Sequence, residues 1–91
     1  MELNEMLNRI ADHIVDSGTH AESHAIEAMA SWARDRCPGA AAALADWNGS
    51  EIARLRAFGI VHGVLVRDLT AGDQAQLRAQ LIGASSWALV A

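Results

Sequence analysis

Of the four histidines in this chain of 91 residues, three stand near its start, at His13, His20 and His24. His20 and His24 are four apart, and Glu27 follows three residues later, so a helix over this segment would carry all three on one face. Imidazole pairs at that spacing hold zinc or a similar ion when a further ligand and an outer shell orient them, and His13 can approach across a turn. The residue after His20 is Ala21, so the glutamate of the zinc-protease signature is missing. The competing expectation is a solvated polar face. His62 stands alone among apolar residues. A phosphoacceptor histidine needs a cation and clearance beside it, and Gly63-Val64-Leu65-Val66 supplies no cation. A core or interface histidine is therefore expected.

Two arginines suggest a second chemistry. Ala45, Gly49, Leu55 and Phe58 follow the order of small, turn and apolar residues in a helix-turn-helix. A second motif helix starting at Ser50 would point Glu51, Arg54 and Arg56 outward, and the two guanidiniums would reach phosphate or guanine. Glu51 would then face the phosphates as well. The formal charge of −4 also opposes nucleic-acid binding, which rests on neutralising phosphate with cations. Catalysis has weaker support still. No serine sits in a nucleophile elbow, and no glycine-rich phosphate loop is present. The single cysteine, Cys37, lies beside Pro38-Gly39 and reads as a structural thiol. No cofactor is expected.

Helices must position these groups. Leu3, Met6, Leu7, Ile10 and Ile14 recur at three and four, giving an amphipathic helix over residues 2–15. Asp16-Ser17-Gly18 ends it. Thr19 and Glu22 read as a capping box opening a second helix, whose apolar side carries Ala25, Ala28, Met29, Trp32 and Ala33 before Pro38. The chain thus begins as a helical hairpin. A short alanine-rich helix over 40–46 ends at Asn48-Gly49. Ser50 caps a long helix to about Leu69, and Thr70 opens the last one, with Leu77, Leu81 and Ile82 inward and Gly83 as its stop. The run Gly59-Ile-Val-His-Gly-Val-Leu-Val66 also suits a strand, but helix is preferred. All-α is the expected fold class: one small domain of four or five helices over residues 1–83, followed by an apolar tail over 84–91.

The long helix dominates the functional expectation. Ile52, Leu55, Gly59, His62, Val66 and Leu69 form a seam at three and four, Gly63 stands four after Gly59 beside it, and apolar residues cover most of the helix's other sides. A helix apolar nearly all round belongs at the centre of a fold or in a subunit interface. A chain this short has difficulty covering so much apolar surface, and uncovered patches usually mark interfaces. The expected function is a non-enzymatic interaction or regulatory module, a homodimer through that seam and Trp87. A DNA-binding regulator using Arg54 and Arg56 is the alternative, and a metal protein using His20, His24 and Glu27 the second. A cytoplasmic location without membrane contact is expected, since no apolar run approaches the roughly 20 residues of a span. Seven Arg, no Lys and nineteen Ala suggest a GC-rich bacterial or phage genome.

Two local resemblances accompany this. Trp47-Asn48-Gly49 resembles the Trp-x-Gly turn of a family of small secreted helical hairpins. Pro38-Gly39 would interrupt that family's first helix, and the chain lacks the tyrosine of its secretion signal. The end, Trp87-Ala-Leu-Val-Ala91, is similar to the apolar terminus of the bacterial tag that marks stalled proteins for proteolysis. Neither is adopted as a family.

Overall fold

The computed structural model describes residues 1–84, and every described element is helical. Five α-helices run as α1 (Leu3–Ser17), α2 (Ser23–Ala33), α3 (Pro38–Leu44), α4 (Glu51–Asp68) and α5 (Ala71–Ala84), with a 3-10 turn over Thr19–Glu22 between α1 and α2. The tail from Ser85 to Ala91, Trp87 included, lies outside the described residues. The all-α class is established, and no helix of the described residues is long and apolar enough to cross a membrane.

Each boundary has a local cause. Gly18 adopts φ +88, a backbone L side chains avoid, and its N–H closes α1 on the Ile14 carbonyl at 2.7 Å. Pro38 occupies the first turn of α3, where its missing N–H costs nothing. Asp46 shapes the link to α4: its carbonyl accepts from Gly49 N–H at 2.9 Å and its carboxylate from Asn48 N–H at 3.1 Å. A Cβ on Gly49 would stand 3.2 Å from the Asp46 carbonyl oxygen, so a larger residue would crowd this turn. Ser50 caps α4 by accepting from Ala53 N–H at 3.1 Å, and Thr70 caps α5 by accepting from Asp73 N–H at 3.1 Å.

The core runs between the helices rather than around one of them. Leu3, Met6, Leu7, Ile10 and Ile14 of α1 are all buried, as their periodicity predicts. α2 contributes Ala25, Ile26, Met29, Ala30 and Ala33, and it packs against α3, α4 and α5. α1 is joined to α2 by the short turn and packs on α4 and α5. Trp32 lies half-buried at the edge, its indole N–H donating to Gln80 of α5 at 2.8 Å.

Three sequence expectations are corrected. Thr19 and Glu22 make no capping box: the 3-10 turn carries no side-chain cap, and both side chains are drawn to other elements. Ile82 is 50% exposed, because Leu77 and Leu81 already fill the inward side of α5. Gly83 does not stop that helix, which continues to Ala84.

Candidate functional site

α4 buries one stripe and presents another. Its core line is Arg54, Ala57, Phe58, Val61 and Leu65, spaced at three and four. The expected seam lies on a different side. Leu55, His62 and Val66 are half-buried at its margin, whereas Ile52, Gly59 and Gly63 are exposed. Ile52 is 66% and Ile60 55% exposed, and among the described residues a Cβ built on Gly59 or Gly63 meets nothing within 4 Å. Ile52, Arg56, Gly59, Ile60, Gly63 and Arg67 therefore form one outward ridge, with bare backbone at its centre and an arginine on each side.

The cations of that ridge differ in their engagement. Arg67 donates through Nε to Asp68 Oδ1 at 3.0 Å, and this bond holds the Asp68 carboxyl below its ordinary value. Arg56 makes no hydrogen bond or ion pair among the described residues.

Arg54 is a correction. Sequence reasoning points it at nucleic acid beside Arg56, but it is 1% exposed. Its Nε and Nη2 donate to the Leu44 carbonyl at 3.2 and 3.1 Å, and Nη1 donates to Thr19 Oγ1. The guanidinium carbon lies 3.8 Å from the centre of the Trp47 ring, a cation–π contact. Glu51, the other residue expected outward, accepts the Thr19 backbone N–H at 3.0 Å. Burial lowers the Arg54 pKa, and the nearby Glu51 and Asp46 carboxylates act in the opposite direction. One side chain thus joins the end of α3, the turn before α2 and the start of α4. Of the two arginines proposed for DNA, only Arg56 is available to a ligand.

The proposed metal ligands are not assembled. Among the described residues no group of three His, Cys, Asp or Glu side chains could hold a metal ion. The physical reason is local. α2 begins at Ser23, and Glu22 breaks the helix with φ −126 and ψ 40, so His20 belongs to the 3-10 turn. His20 instead packs against Trp47, its ring tilted by 49° with ring centres 5.0 Å apart. His24 and Glu27 are exposed on α2, and His13 Nδ1 lies 2.9 Å from Glu22 Oε1. Cys37 is free and half-buried, and no pocket opens among the described residues.

His62 bridges two helices, with Nε2 2.8 Å from Asn4 Oδ1 and its ring edge-on to Phe58. Partial burial lowers its pKa from the ordinary 6.5. The folded state therefore favours the neutral ring, and its stabilising share is whole above the unfolded value. That share falls as pH drops below about 6.5 and the unfolded chain takes up the proton first. We expect the melting temperature to fall less between pH 7.5 and 5 in His62→Asn than in the native chain, measured by circular dichroism. Equal falls would show that His62 titrates alike in both states.

No family model, curated protein or solved structure matches this chain.

Proposed function

We propose that this protein is a small helical interaction module that acts by pairing, first of all with itself, through the outward ridge of α4. The observation carrying this reading is the ridge itself: two glycines with open space where a Cβ would be, flanked by Ile52 and Ile60 more than half exposed. Glycine costs a helix interior up to about 1 kcal/mol relative to alanine, and among the described residues no close neighbour requires it at either position. A second helix lying across Gly59 and Gly63 would use that space and cover both isoleucines. Leu55 and Val66 border the same face.

Catalysis and DNA binding have less support. No pocket opens among the described residues to enclose a substrate, and the arginine pair is divided between core and surface. Native mass spectrometry at micromolar concentration tests the pairing. A dimer is expected for the native chain and predominantly monomer for Gly63→Leu, whose side chain would fill the gap between helices. An unchanged mass distribution in the variant would sink the proposal.

A further inference from the structure

The outward side of α1 carries a pattern that matches the ridge. Glu5, Asn8, Asp12 and Asp16 are all exposed, opposite the buried line of Leu3, Met6, Leu7, Ile10 and Ile14. Their spacing is three, four and four. Arg56, Gly59, Gly63 and Arg67 on α4 repeat that spacing of three, four and four. From the rise of a helix, each end pair is separated by about 16 Å. Two carboxylates can thus meet two guanidiniums while the short Asn8 and Asp12 side chains lie over the bare glycine backbone.

Charge favours this match. Among the described residues Glu5, Asp12 and Asp16 form no ion pair, and Arg9 is the one cation beside them on α1. Arg56 is likewise unpaired. An α4 ridge placed against another α4 ridge would bring arginines toward arginines, whereas α1 against α4 brings opposite signs together. Both faces belong to every copy, and α1 and α4 are neighbours joined at Asn4 and His62.

We infer that the α4 ridge of one copy is occupied by α1 of a second copy, in parallel, with Glu5 on Arg56 and Asp16 on Arg67. This rests on the reading of α4 as the pairing surface and names what covers it. The contact is acidic on one side and basic on the other, so salt weakens it.

Complementary charge reversals provide the test. One variant carries Arg56→Glu with Arg67→Glu, and the other Glu5→Arg with Asp16→Arg. All four positions are exposed, so both variants should keep the native circular dichroism spectrum. By sedimentation at low salt, each variant alone should dimerise at least about tenfold more weakly than the native chain, since like charges then face each other. Mixed one to one, they should recover a heterodimer, because both contacts are again opposite in sign. A native chain that stays monomeric would overturn the pairing surface as well. A native dimer that Gly63→Leu disrupts but neither reversal changes would overturn only the α1 occupant. Failure of the mixture to recover would overturn it too.

Discussion

Replacing Arg54 by Met is expected to cost about 3 kcal/mol or more, because it leaves the buried Leu44 carbonyl and Thr19 hydroxyl without their donor and removes the contact with Trp47. A domain of this length has roughly 5–14 kcal/mol in total, so the loss is a large share. Arg54→Lys should retain part of the stability. The ammonium keeps the charge near Glu51 and Asp46, but it cannot offer the planar fork that meets Leu44 and Thr19 together. Urea unfolding followed by circular dichroism checks both, with Met the more damaging. Arg56→Met, two residues away on the surface, should stay within about 0.5 kcal/mol of the native chain. Equal effects at the two positions would mean that Arg54 is not the link between α3, α4 and the 3-10 turn.

That contrast also marks where sequence reasoning reached its limit. Arg54 and Arg56 look equivalent in the chain, since both follow Ser50 within two turns and neither has an obvious local partner. The groups that claim Arg54 come from far along the chain, Thr19 from 35 residues away and Leu44 from ten. Only the fold brings them together. Trp47 gave a faint signal, because an aromatic in a tight turn can cover a cation on the following helix. Thr19 shows the same limit. It has the type and spacing of a cap, but its N–H is taken by Glu51 and its hydroxyl by Arg54, so the turn tightens to 3-10 and helix α2 starts four residues later. The proposed metal set then loses its common face.

Other features were legible because their causes are local. α1 has a strong apolar period, and its five buried residues are those the period selects. Ser50 and Thr70 act as caps, each hydroxyl accepting the backbone N–H three residues further on. The glycine-containing run of α4 is helical despite its strand-prone residues, since Ala57, Phe58, Val61 and Leu65 meet the core at helical spacing. Near-continuous apolar sequence hid which side of α4 faces inward. The core line proved to be the one that includes an arginine, because a long side chain with a satisfied head can bury its stem as well as leucine does.

The two glycines of α4 allow a second large effect with opposite signs in two measurements. Gly59→Ala with Gly63→Ala should raise the stability of the isolated monomer by up to about 2 kcal/mol, since alanine restricts the unfolded chain and favours helix. Among the described residues nothing within 4 Å opposes either methyl group. For a domain of this size, that gain corresponds to a melting temperature higher by roughly 8–16 °C, measured at a concentration where the native chain is monomeric. Dimer formation should move the other way, because each methyl group holds the facing helix off the α4 backbone. Alanine is small, so the association constant should fall less than in Gly63→Leu, where the whole gap is filled. A variant more stable as a monomer and weaker as a dimer separates helix propensity from packing at the same two positions. If the double variant gained stability and dimerised as tightly as the native chain, the glycines would be serving neither purpose, and close approach at the ridge would be excluded as the reason for their presence.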